Sequence, residues 1–178
     1  EGVWHAVQSV PGQPSGLATT FVRPDSTHTR YVTGLARLDP KLVSFRLVAG
    51  TTQPGGKGWS WGGLVPPTER AKLIAAFNSG FKLADSNGGV YAEGRTAKPL
   101  VNDSASWVIR NDGTVDVPQW GRYPTSTHGL SALRQNLQPI ADGWACGPGL
   151  AHTDHQAWRN PPHRVVPADE DELLAHPS

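Results

Sequence analysis

Most of the residues able to do chemistry lie between Phe77 and Pro99, where the chain reads FNSGFKLADSNGGVYAEGRTAKP. Gly80, Gly88, Gly89 and Gly94 let the backbone approach a ligand closely or take positive φ. Lys82, Arg95 and Lys98 bring positive charge to the same stretch, and Asp85 and Glu93 bring carboxylates. Backbone N–H groups from glycine turns, joined by one or two cations, can cradle a phosphate oxyanion. A carboxylate beside them can act as general acid or base. The competing reading is that Asn78-Ser79-Gly80 and Asn87-Gly88-Gly89 are only turns, since such triplets recur in surface loops of every kind.

A second group of candidates is aromatic. Of seven tryptophans, Trp59 and Trp61 sit in a Gly-rich loop and offer indole faces on which a sugar ring could stack; Trp107, inside an apolar run, reads as core. Other matches carry less. His152-Thr153-Asp154-His155 resembles a metal-ligand spacing, but Pro148, Pro161 and Pro162 surround it and no further ligand cluster joins it, so it reads as solvated tail. Ser79 lacks the Gly-x-Ser-x-Gly setting of a strained nucleophile, and nothing places a histidine beside it. Cys146, the one cysteine, has no protease or redox context and excludes an intrachain disulfide. No metal is expected, and the residues name no cofactor.

These residues need elements to hold them. Gly and Pro together take 36 of 178 positions, which excludes a long helical bundle or coiled coil. A formal net charge of +1 gives no electrostatic case for nucleic acid, and no apolar run is long enough to span a bilayer. The chain opens Glu1-Gly2-Val3-Trp4 and contains no Met, so translation is expected to begin upstream. Residues 17–23, 30–38 and 42–49 read as strands; in the last, Val43, Phe45, Leu47 and Ala49 share one face and Ser44 and Arg46 the other. Pro66 to Arg70 can open a short helix, and Leu73 to Phe77 reads as a buried strand. Asn111-Asp112-Gly113 between 105–110 and 114–118 predicts a tight hairpin. Residues 129–137 suit a short helix or a strand, and 168–175 a short acidic helix. The expected class is α+β: β-rich, with few short helices and long Gly/Pro-rich loops.

Residues 74–122, with Asn78-x-Gly80-Phe81, then Gly89 and Gly94, then a strand and an Asp-Gly hairpin, followed by Leu133-Arg134-Gln135-Asn136-Leu137, resemble the phosphodiester glycosidase family. That family includes the lysosomal uncovering enzyme, and the likeness is to secreted or envelope-associated actinobacterial members. It extends over about residues 1–143, including Arg23-Pro24-Asp25 and the Gly50–Ser60 loop. The resemblance implies hydrolysis of a glycosyl–phosphate bond in a polymeric or small glycan phosphodiester. Asn78, Gly80 and Gly89 would then shape the pocket, Lys82 or Arg95 would neutralise phosphate, and Asp85 or Glu93 would be acid/base candidates. Trp59 and Trp61 would contact sugar. Family members continue further, to an Asp-Gly-Gly-Gly-Ser-Ser-like motif, whereas the Asp-Gly pairs here are Asp112-Gly113 and Asp142-Gly143. Residues 1–143 are therefore expected to be the N-terminal part of such a domain, and 144–178 an unrelated or out-of-frame tail. A non-catalytic module that binds carbohydrate or envelope polymer is the alternative.

Overall fold

Period-two alternation dominates the described residues, and Gly and Pro interrupt it often enough that long helices do not form. In the computed structural model, residues 1–7 and 11–139 are described in full and residues 172–177 by their backbone. Strands β1 (His5–Val7), β2 (Leu17–Val22) and β3 (Thr33–Leu38) form one antiparallel sheet in that order. β4 (Val43–Leu47), β5 (Ala75–Asn78) and β11 (Glu172–Pro177) form a second, with β11 in the middle. The third sheet has the order β7 (Arg95–Lys98), β6 (Val90–Ala92), β10 (Leu130–Gln135), β8 (Ser106–Arg110) and β9 (Val115–Asp116). Every strand pairing is antiparallel.

Two helices of four residues each, α1 (Pro67–Arg70) and α2 (Leu83–Ser86), are the whole helical content of the described residues. The α+β expectation is therefore corrected: the fold is mostly β. One turn is too short to present an apolar stripe, and α1 buries no residue at all. The short helix expected at Pro66–Arg70 is present, with Pro in its first turn. The acidic helix expected at 168–175 is not: residues 172–177 are a strand, and 168–171 lie outside the described residues. Pairing with two long-range partners overrides the local preference of an acidic, leucine-bearing run. The 129–137 segment resolves to a strand. The run at 73–77 yields β5, half-buried with Ala76 exposed.

The five-stranded sheet is apolar on both faces, and its middle strand β10 is nearly all buried. One face sets Leu133 with Val108, Trp120 and Leu130. The other sets Ala132 with Ala92, Ile109, Trp107, Leu47 and Leu83, and Phe45 and Phe77 pack against it. Trp107 joins the layers: Phe45 of β4 and Phe77 of β5 meet its ring edge-on, at centroid distances of 5.7 and 5.9 Å.

The Asp-Gly hairpin forms as the sequence predicts. Gly113 takes φ 83°, its N–H donates to the Arg110 carbonyl, and the Asp112 carboxylate accepts from Thr114 N and Oγ at 2.9 and 2.6 Å. The Thr114 hydroxyl, then its N–H, holds the Asp112 carboxyl below its ordinary value of 3.8. A carboxyl lowered on folding adds stability above its unfolded pKa, and loses it as pH falls through the folded one. The side chain of Asp112 is thus expected to titrate below 3.8 by NMR, and Thr114→Val to move the midpoint up toward that value.

Candidate functional site

Two groups of the expected site residues come together, in different places. The first is the junction of the Asn78–Phe81 loop with β10. β5 ends at Asn78, whose backbone pairs with residue 172, and the chain then turns through Ser79 and Gly80. Beneath the turn lies Arg134, only 1% exposed, donating through one guanidinium nitrogen to the Phe81 carbonyl at 2.6 Å and through another to the Gln135 carbonyl. The Phe81 N–H donates to Asn136 Oδ1 at 3.3 Å, and a Cβ on Gly80 would stand 3.3 Å from the Asn136 side chain. Gly89 is held in turn by Gln135: its N–H donates to Gln135 Oε1 at 2.9 Å and its carbonyl accepts the Gln135 N–H. A Cβ on Gly89 would lie 2.3 Å from the Pro99 carbonyl oxygen. The close approach that Gly80 and Gly89 permit is therefore to the protein's own chain. Lys82 is exposed at the N-cap of α2, and Asp85 is exposed on its first turn.

The second group is built on the β6–β7 hairpin. Glu93 and Gly94 form its two-residue turn with φ of 51° and 76°, the positive values that a tight hairpin demands. Both Glu93 carboxylate oxygens accept the Ser60 N–H, at 3.1 and 3.0 Å. The Arg95 guanidinium lies 3.5 Å above the centre of the Trp59 ring and donates to the Lys57 carbonyl at 3.0 Å. Trp59 Nε1 in turn donates to the Gly55 carbonyl at 2.8 Å. Trp59, Glu93 and Arg95 thus latch the hairpin to the 50s loop. Trp59 also packs against the interlayer core.

Beside the latch a cleft of about 700 Å³ opens between β4, α1 and the inner face of the five-stranded sheet. Trp61 and Glu93 line it, together with Arg46, Glu69 and Lys72, and Ala92, Ile109 and Ala132 are part of its wall. Arg46 stacks on Trp61 with 4.1 Å to the ring centre, and Lys72 pairs with Glu69 at 3.4 Å. Ala132 and Arg134 lie two apart on β10 and so share a face, which sets the buried guanidinium one row further along the interlayer space from the cleft wall.

Of the nine expected site residues, Trp61 and Glu93 reach the cleft, Trp59 and Arg95 fix the hairpin beside it, and Asn78, Gly80 and Gly89 gather at the β10 junction. Lys82 and Asp85 are exposed, at the N-cap and on the first turn of α2. Sequence reasoning missed Arg46, Glu69, Lys72 and Arg134. Arg46 had a signal, since it occupies the polar face of an alternating strand. Arg134 stood in the Leu133–Leu137 stretch that carries the resemblance, but its burial had no signal, because an arginine in a strand ordinarily reads as a surface residue. Among the described residues no three His, Cys, Asp or Glu side chains are grouped to hold a metal ion, and no helix is long and apolar enough to cross a membrane. The His152–His155 cluster and Cys146 lie outside the described residues. No family model, curated protein or solved structure matches the chain.

Proposed function

We propose that the chain recognises a glycosyl phosphodiester in the cleft and hydrolyses its glycosyl–phosphate bond, as a protein resembling the phosphodiester glycosidases and, with them, exported or envelope-associated. The observation that carries this reading is that one cleft gathers an indole, two carboxylates and two cations: Trp61, Glu93 and Glu69, Arg46 and Lys72. An indole face suits the C–H face of a sugar, and the cations suit a phosphate. In the step itself, a water oxygen bonds to the anomeric carbon while the bond from that carbon to the phosphate oxygen breaks. Glu93 takes the proton from the water, and the phosphomonoester leaves with its charge held by Arg46 and Lys72. The Ser60 N–H, donating to both carboxylate oxygens, holds the Glu93 side chain in place at the cleft.

Binding without turnover is the second reading. It is favoured by the position of Asp85, which does not line the cleft, and by the second cleft carboxylate, Glu69, being paired with Lys72 at 3.4 Å. The test is release of sugar and phosphomonoester from a sugar-1-phosphodiester, alongside direct binding by calorimetry. Glu93→Gln is expected to cut kcat about 100-fold or more while leaving binding within a few-fold. Trp61→Ala is expected to weaken binding about tenfold, the loss of one stacking platform. Binding that Trp61→Ala weakens, with no turnover in the parent chain, selects the second reading. A parent chain that neither binds nor cleaves eliminates both.

A further inference from the structure

The second sheet is held together by a strand that arrives late in the sequence. β4 and β5 do not pair with each other; each pairs with β11, which runs antiparallel to both. The register aligns Leu173 with Leu47 and Phe77, Leu174 with Arg46 and Ala76, and Ala175 with Phe45 and Ala75. Without β11, β4 and β5 would stand about 9–10 Å apart, two strand spacings, too far for any backbone hydrogen bond between them. Both are nevertheless fixed from below, because Phe45 on β4 and Phe77 on β5 each pack edge-on against Trp107 of the other sheet. The flanks of the gap are thus held by contacts that do not involve β11.

We propose that the gap between β4 and β5 is a strand-acceptor slot, and that its second occupant is residues 172–177 of another copy of this chain. Thirty-six residues, 136–171, separate β10 from β11. Fully extended they could span about 120 Å, so covalent reach does not confine the strand to its own slot. An exchanged strand makes the same backbone pairs as the original, which is why exchange of identical elements costs little. The ligand of the slot is therefore an extended peptide with the sequence Glu172-Leu173-Leu174-Ala175-His176-Pro177. This assignment is independent of the proposed hydrolysis and is read without any sugar.

The register supplies the experiment. Ala76 is exposed and lies directly opposite residue 174, a separation that a disulfide can span. Full-length chains carrying Cys146→Ser are prepared with Ala76→Cys alone, with Leu174→Cys alone, and with both. The doubly substituted chain is expected to close an internal disulfide under mild oxidation. An equimolar mixture of the two singly substituted chains is expected to give a covalent dimer linking 76 to 174, in a yield that rises with protein concentration. An internal disulfide with no mixed dimer overturns the exchange, and absence of both overturns the slot. The unmodified chain provides a second measurement by light scattering: a dimer fraction growing with concentration is expected, and a monomer throughout overturns the proposal even if the cysteine variants fold poorly.

Discussion

Gly89→Ala is expected to cost the fold about 3 kcal/mol, roughly 10 °C in Tm, through overpacking alone. The added Cβ would fall 2.3 Å from the Pro99 carbonyl oxygen and 2.7 Å from the Leu100 Cα. Both are backbone atoms, so no side-chain rotation relieves the clash. The strand ends would have to separate, and the bond from the Gly89 N–H to Gln135 Oε1 would lengthen with them. Gly94→Ala is the control. Its φ of 76° strains any side chain, but no atom lies within 4 Å of the added Cβ, so the expected cost is only about 1 kcal/mol. Urea melts of the two variants separate the causes. Equal losses would mean that Gly89 is not in the tight contact described.

Gln135→Leu is expected to cost as much or more, about 4 kcal/mol. Gln135 is fully buried, and its amide is used at both ends. Oε1 accepts the N–H groups of Gly89 and Val101 at 2.9 and 2.6 Å, while Nε2 donates to the Val101 carbonyl and to Ser106 Oγ at 2.9 and 3.1 Å. Leucine fills nearly the same volume and satisfies none of these groups. Gln135→Glu gives the contrasting result. The carboxylate can still accept from both N–H groups, but it cannot donate and carries a buried charge. Burial raises its folded pKa above the unfolded value near 4.3, so stability is highest below that value and falls as pH rises through the folded pKa. Melts of Gln135→Glu at pH 4 and pH 7 are expected to differ in that direction, whereas Gln135→Leu is expected to lose the same amount at both.

Local rules carried much of the fold. The alternation in 42–49 and the positive-φ preference of Asp112-Gly113 act over a few residues, and both elements formed as read. Decisions made across long sequence distances were not legible. The run containing Leu173 and Leu174 follows a string of acids, which locally favours a helix start. Its strand state comes from pairing with β4 and β5, about 130 and about 97 residues earlier in the chain. The hairpin turn at Glu93-Gly94 was also obscured, since Glu is an uncommon residue at positive φ. At the site, Trp61 and Glu93, both legible as candidates by residue type, lie beside one cleft. Residue type did not reveal that Arg95 would stack on Trp59, nor that a guanidinium at position 134 would be buried under the Asn78–Phe81 turn. Side-chain charge states what a residue can do in water, and burial changes the partners it must find.

The late position of β11 has a consequence for biosynthesis. The last strand of the five-stranded sheet ends at Gln135, and the strand that unites β4 with β5 begins only at Glu172. At about 5–20 residues per second, the ribosome needs roughly two to seven seconds to make the segment between them. During that interval the five described strands of the larger sheet have all been made, while β4 and β5 lack the strand that pairs them and offer unpaired backbone edges, the kind of surface that recruits strands from other chains. Codons that slow translation between 136 and 171 lengthen this exposure, so the yield of folded protein depends on the tempo at which this segment is made.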